Sequence, residues 1–336
     1  MNDLALLQPL LRYLTLDKDI LYVICPFNIG DFLINGELCH ALLKRNRKKA
    51  CVLIERDRFA NSGLNFVGVM EVQYIPQIIM DFVRQYIYAT HEYEADNYVY
   101  GHFHVGQDGR HLVNYNLSFV DRYKENVFRL PLDTELIPPI ISPLTDSQKA
   151  FLNKTYVLDS ERTIILAPYN NTYPNLEESL WIKLVSELNK KNKDYVLYTN
   201  VAAPNEKPVP GTAPMFTTFP ELIYLAEKVK CFIGLRSGIF DLLALTKARL
   251  LYIIRYFGDW HYNLEINFKH TNSKAFFYIK DASKQENILD LMKQNNITSF
   301  DDVALFGGIV TGNDISFDMN SLIEKIISSI DREKTS

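Results

Sequence analysis

The chain predicts two α/β domains, each a parallel sheet covered by helices. Three observations carry that prediction. The chain has 336 residues, more than one ordinary hydrophobic core organises and about right for two. Short apolar runs of strand length alternate with amphipathic stretches nearly from end to end, as in parallel sheets joined by helical crossovers. A stretch broken by prolines divides that series into two halves.

In the first half, Leu4, Leu7, Leu10, Leu11 and Leu14 follow the i, i+3, i+4 spacing of a helix face. Ile20 to Cys25 is a continuous apolar run suited to a strand buried on both faces. Phe32 to Leu43 reads as a helix, Ala50 to Ile54 and Val72 to Ile75 as strands, and Ile78 to Tyr88 as a helix. Tyr98 to Tyr100 makes a fourth strand, and a helix over Leu117 to Phe128 closes this half. Pro131, Pro138, Pro139 and Pro143 then interrupt both helix and sheet, with one short helical piece over Ser147 to Asn153. The expected boundaries are a first domain at 1–140, a linker at 141–160 and a second domain at 161–320, with a closing helix at 321–336.

The second half repeats the alternation. Thr163 to Ala167, Tyr195 to Tyr198, Cys231 to Gly234, Leu250 to Ile254 and Ala275 to Ile279 are strands. Glu177 to Lys190, Phe219 to Val229 and Ile239 to Leu245 are helices, and Leu322, Ile323, Ile326, Ile327 and Ile330 mark the last one. Ligands of such sheets sit beyond the carboxyl ends of the strands.

Composition narrows the function classes. The chain is 47% hydrophobic and 23% charged, an ordinary globular balance that excludes a disordered chain. A net charge of −4 argues against a nucleic-acid binder. Cys25, Cys39, Cys51 and Cys231 form no CxxC pair and read as buried thiols of a reducing compartment. The N-terminus lacks a basic stretch before its leucines, and no uncharged run reaches the roughly 18 residues of a membrane span. The expected location is the cytoplasm, with peripheral contact at the inner membrane face left open.

Three strand-to-helix junctions carry unusual residues. The first is Pro26-Phe27-Asn28-Ile29-Gly30-Asp31. Asp31 reads either as a plain helix cap or as a carboxylate presented at the strand end. GxGxxG is absent, so this is no dinucleotide fingerprint. The second, Pro168 to Pro174, offers the polar groups of Asn170, Asn171 and Thr172, or is an ordinary turn. The third is Gly234-Leu235-Arg236-Ser237-Gly238, running on to Asp241. Ser237 and Gly238 fit a helix start whose N–H groups bind anions, and Arg236 adds a fork matched to phosphate. The plain alternative is a Ser cap beside an Arg paired with a carboxylate.

Other features point less far. His102, His104 and His111 lack an acidic or Cys ligand at a defined spacing, so no metal is expected. Lys44 to Lys49 is a basic run at a helix end, either a solvated cap favoured by the helix dipole or a patch for anionic lipid. Phe219, at a loop-to-helix junction, is a candidate for base stacking.

Ile29-Gly30-Asp31-Phe32-Leu33 resembles the IGD motif that opens the N-terminal domain of heptosyltransferase-like glycosyltransferases. Phe219-Pro220-Glu221-Leu222 to Ala226, Phe232-Ile233-Gly234 and Ser237-Gly238 resemble the C-terminal half of that family. The similarity spans Leu21 to Ile254. It implies the GT-B fold, two Rossmann-like domains facing across a cleft, and sugar transfer from a nucleotide-sugar donor with inversion and without metal or other cofactor. It places Asp31 as general base and Asn28 and Gly30 on the acceptor side. Asn170, Asn171, Thr172, Thr199, Phe219, Arg236, Ser237, Gly238 and Asp241 fall on the donor side. It also implies that the last helix returns to the first domain.

Three departures stand out. Arg236 occupies the place of the family's Asp before Ser-Gly, and Asp241 that of the His after it; the Asn170 to Pro174 loop lacks the family's Lys. Arg236 is expected to supply that positive charge, and the donor is not expected to be ADP-heptose. The acceptor would be a saccharide or lipid-linked saccharide of a bacterial surface polysaccharide, and a homo-oligomer is compatible with the sequence. Two rivals share these residues: a nucleotide-sugar epimerase or hydrolase, and a non-catalytic GT-B-like partner of an active transferase.

Overall fold

A computed structural model of the chain describes residues 4–57, 60, 62–102, 119–170, 175–202, 206–235, 237–255, 274–281, 303–311 and 314–330. The chain divides into two compact units, Met1–Ser142 and Pro143–Ser336.

The first unit runs α1 (Leu4–Leu14), β1 (Ile20–Ile24), α2 (Ile29–Asn46), β2 (Ala50–Arg56), β3 (Leu64–Asn65), β4 (Val69–Ile75) and α3 (Gln77–Thr90). It continues through β5 (Glu94–Ala95), β6 (Tyr98–Tyr100), α4 (Phe119–Arg122) with a π-helical turn at Tyr123–Val127, and β7 (Ile140–Ile141). The sheet order is β4-β2-β1-β6-β5. β1 pairs in parallel with β2 and β6, and β2 with β4, while β5 and β6 form an antiparallel hairpin. Successive side chains of a strand face opposite ways, which explains why β1 and β2 are apolar without alternation. Tyr22, Ile24, Val52 and Ile54 pack against Leu11 of α1 and Met80, Val83 and Ile87 of α3. On the other parity, Cys51 of β2 meets Cys39 of α2, with the sulfurs 3.3 Å apart.

The second unit runs α5 (Asp146–Thr155), β8 (Thr163–Ala167), α6 (Glu178–Lys191), β9 (Val196–Asn200), β10 (Ala213–Met215), α7 (Phe219–Ala226) and β11 (Cys231–Leu235). Then follow α8 (Gly238–Leu243), β12 (Leu250–Arg255), β13 (Lys274–Asp281), β14 (Val303–Thr311), β15 (Asp314–Phe317) and α9 (Met319–Ile330). The order β10-β9-β8-β11-β12-β13-β14-β15 is parallel except for the last pair. Ile165, Ala167 and Phe232 pack with α5, α7 and α8. Ile164, Leu166 and Ile233 pack with α6 and α9.

The strand order turns back on itself at the first strand of each unit, the doubly wound pattern. The switch points lie between β1 and β6 and between β8 and β11.

Three features of the structure add to what the sequence predicts. The last helix buries its apolar face within the second unit. Leu322, Ile323, Ile326 and Ile330 lie in the second unit's core beside α6, and Arg249 donates a 2.7 Å hydrogen bond to the Ser329 carbonyl. The 141–160 stretch is not only a linker. The units divide at Ser142, α5 covers much of the stretch, and Leu152 is buried in the second core. The strands β3, β5, β7, β10, β14 and β15 were not expected. β3, β5 and β7 are two residues long, and β10 contains Pro214, which only an edge strand tolerates.

Candidate functional site

The turn after β1 builds the first candidate site. Asn28 is extended (φ −99°, ψ 171°) and caps α2, so Asp31 is the third residue of that helix and not its cap. The Asp31 carboxylate closes a capping box, its Oδ2 accepting the Asn28 N–H at 3.1 Å. Its Oδ1 accepts the Tyr123 hydroxyl at 2.5 Å. The same oxygen lies 3.9 Å from Nε2 of His102, and the Asp31 side chain retains 12% of its exposure. Gly30 is buried beneath this turn.

His102 follows β6, so Asp31 and His102 occupy the two strand ends that flank the first switch point. Asn35, one helical turn beyond Asp31, ties these ends together. Its Nδ2 donates to the Asp31 carbonyl at 2.7 Å and to the Gly101 carbonyl at 2.9 Å. A Cβ at Gly101 would lie 2.1 Å from Asn35 Oδ1, so a side chain there would displace the Asn35 amide from this link. The His102 ring lies against Phe27 at 3.9 Å between centroids.

Tyr123 is fully buried. Burial and the neighbouring Asp31 charge push its phenol well above the usual range, so it stays a proton donor. Arg56, at the end of β2, is held between Glu55 at 3.4 Å and Gln77 at 3.3 Å. Burial pulls its guanidinium down, while the Glu55 and Asp31 charges oppose that shift.

The second unit presents two loops at its own switch point. Asn170, after β8, is half-buried and donates its backbone N–H to Asn175 Oδ1 at 2.7 Å. Ser237 caps α8 in an extended conformation, and its carbonyl accepts the Asp241 N–H at 3.1 Å. Gly238 opens the helix, and Gly238 and Asp241 are half-buried. Gly234 allows α8 to come this close: a Cβ there would meet the Ala167 carbonyl at 2.5 Å and the Phe240 ring at 2.6 Å. Phe219 is the half-buried first residue of α7, next to the capping box of Thr218 and Glu221. Asn171, Thr172, Arg236, His104 and His111 lie outside the described residues.

Thr199, expected on the donor side, lies near the end of β9. It is fully buried, and its hydroxyl receives the Val209 N–H at 3.0 Å and pairs with Thr212 at 2.6 Å. The hydroxyl holds the turn before β10 in place.

The basic run is the C-terminal cap of α2. Arg47 takes the left-handed conformation (φ 53°), Arg45 pairs with Glu94, and Lys49 pairs with Asp19 at 2.7 Å. All four cysteines are buried thiols, and none is in a disulfide. Among the described residues no group of three His, Cys, Asp or Glu is placed to hold a metal, and no helix is long and apolar enough to cross a membrane.

The sequence reading singled out neither Tyr123 nor Asn35, and it weighed His102 only as a metal ligand. Nothing local marks them, since their roles arise from contacts across the fold.

The doubly wound order in both units and the switch-point loops define a class of paired Rossmann-like domains. No family model and no curated protein matches the sequence. Solved structures share its fold. A glycosyl transferase of family 9 from Veillonella parvula superposes with a TM-score of 0.55 at 10% identity, covering 94% of this chain and 98% of that one. The ADP-heptose LPS heptosyltransferase II of E. coli does so with a TM-score of 0.51 at 14% identity, covering 93% and 98%. The chain has the GT-B fold of the heptosyltransferase-like enzymes it resembles.

Proposed function

We propose that the chain is a glycosyltransferase. In this reading it moves a sugar from a nucleotide-sugar donor to a saccharide or glycoconjugate acceptor, with inversion and without a metal, in bacterial surface polysaccharide synthesis. The observation that carries the reading is the Asp31 carboxylate, fixed at the first unit's switch point in a fold shared with glycosyltransferases. Sugar transfer needs a hydroxyl to lose its proton as it attacks, and a positioned carboxylate serves that step. It also needs the charge growing on the leaving nucleoside diphosphate to be stabilised. Arg236 and the N–H groups around Ser237 and Gly238 are assigned to that work. Asn28 and Gly30 lie on the acceptor side. Asn170, Asn171, Thr172, Phe219 and Asp241 complete the donor side. A cytoplasmic location, where nucleotide sugars are available, belongs to the same reading.

The test is nucleoside diphosphate release by the purified chain from a panel of nucleotide sugars, with and without saccharide and glycolipid acceptors, in EDTA. Release that requires an acceptor supports the transferase. Release without one, yielding free sugar or an isomer, supports the hydrolase or epimerase. Donor binding with no turnover supports a non-catalytic partner.

A further inference from the structure

Both oxygens of the Asp31 carboxylate already accept hydrogen bonds, one from the Asn28 N–H and one from the Tyr123 hydroxyl. These anchors come from the helix cap and from a residue 92 positions away. The carboxylate is therefore fixed in direction. His102 stands beside it with Nε2 3.9 Å from Oδ1, and keeps 23% of its side-chain exposure against 12% for Asp31. The ring thus offers more of itself to an incoming molecule than the carboxylate does.

The ring is itself positioned. Phe27 covers it at 3.9 Å, and Tyr123 meets it edge-on at 6.4 Å. Its backbone is pinned where the His102 N–H donates to the Tyr100 carbonyl at 3.0 Å and the Gly101 N–H to the Ile24 carbonyl at 2.8 Å. A base within reach of a carboxylate that is itself held by a third group is the arrangement of activated catalytic pairs.

We propose that His102 is a second catalytic residue of this site, sharing with Asp31 the proton taken from the acceptor hydroxyl. The proposal rests on the glycosyltransferase reading above. In the step, the acceptor O–H bond breaks and its proton passes to the pair. The acceptor oxygen forms a bond to the sugar's anomeric carbon. The bond from that carbon to the phosphate oxygen breaks, and its electron pair leaves with the nucleoside diphosphate. A protonated ring next to Asp31 is a neutralised ion pair, so the proton is held without building net charge at the strand ends. The 3.9 Å separation is longer than a hydrogen bond. Such distances are usual in catalytic pairs without substrate and tighten when substrate binds.

The experiment compares His102→Gln, Asp31→Asn and the double variant with the parent, using the donor and acceptor the parent turns over. His102→Gln should lower kcat by about 10²–10⁴-fold, with KM for the donor changed by less than about threefold and an unfolding midpoint close to the parent's. If His102→Gln fails to fold, His102→Asn takes its place. The double variant should be no slower than the slower single variant, because residues that act as a unit are not additive. A histidine variant that folds and keeps kcat within threefold of the parent overturns the proposal and leaves the transferase intact. So does a double variant whose loss is the product of the two single losses. A parent chain with no acceptor-dependent turnover overturns the transferase reading, and the proposal with it.

Discussion

The Tyr123 hydroxyl donates a 2.5 Å hydrogen bond to Oδ1 of Asp31, joining the first turn of α2 to a π-helical turn 92 residues later. π-helical turns inside helices often occur at functional sites, and this one aims a fully buried phenol at the candidate base. The contact works as a brace. It limits where the carboxylate can point, and it satisfies one carboxylate oxygen in a place water reaches poorly.

Removing the brace is therefore costly. Tyr123→Phe should lower stability by about 1.5–3 kcal/mol, the range for hydrogen bonds to charged groups. Urea unfolding monitored by circular dichroism measures this, and a variant as stable as the parent would show that the bond contributes nothing.

Asp31→Asn separates local architecture from chemistry. An Asn amide oxygen can still accept the Asn28 N–H, but the Tyr123 bond to a charged oxygen is lost, so the change should cost about 1.5–3 kcal/mol of stability, as for Tyr123→Phe. Turnover should fall by about 10²–10⁴-fold if the carboxylate takes part in proton transfer. Near-parental kcat with the true acceptor would reduce Asp31 to a capping-box residue.

Gly234→Ala should disturb the second unit's switch point. The new methyl group would press on the Ala167 carbonyl and the Phe240 ring, which a Cβ would meet at 2.5 and 2.6 Å. Overpacking of this kind costs roughly 1–3 kcal/mol. A thermal-unfolding midpoint unchanged from the parent would show that α8 and β8 have room for a methyl group between them.

The folded chain should lose stability in alkali. Burial pushes the thiols of Cys25 and Cys39 and the phenols of Tyr100 and Tyr123 well up. Each group keeps its proton in the folded state at a pH where the unfolded chain releases it. Their contribution is complete below the unfolded values, about 8.5 for Cys and 10 for Tyr, and is lost as pH rises beyond them. Urea midpoints should be flat from pH 7 to 8 and fall steadily from pH 9 to 11. Midpoints that hold level through pH 11 would contradict the burial of these groups.

Arg236 is expected to carry donor phosphate affinity. Arg236→Ala should weaken nucleoside diphosphate binding by about 1.5–3 kcal/mol, read by isothermal titration. Equal affinity in the variant and the parent would remove Arg236 from the donor site.

The alternation of apolar runs determined, from the sequence by itself, that the chain forms two parallel-sheet units. Ile20 to Cys25 and Thr163 to Ala167 read as strands buried on both faces, because continuous apolar runs of that short length suit parallel sheets. The position of Asp31 after a buried strand was equally legible. Only the tertiary structure brought Tyr123, Asn35 and His102 to it. A hydrogen bond spanning 92 residues leaves no periodic trace, and any donor that the fold delivers to that point would serve. Burial was likewise decided in three dimensions. The resemblance puts Thr199 on the donor side, while β10 and the turn before it enclose its hydroxyl. The apolar stripe of α9 was plain in the sequence, yet either domain could have buried it. The apolar face beside α6 in the second unit is where that stripe found its complement, because hydrophobic burial has no direction of its own and takes whichever surface the rest of the fold leaves uncovered.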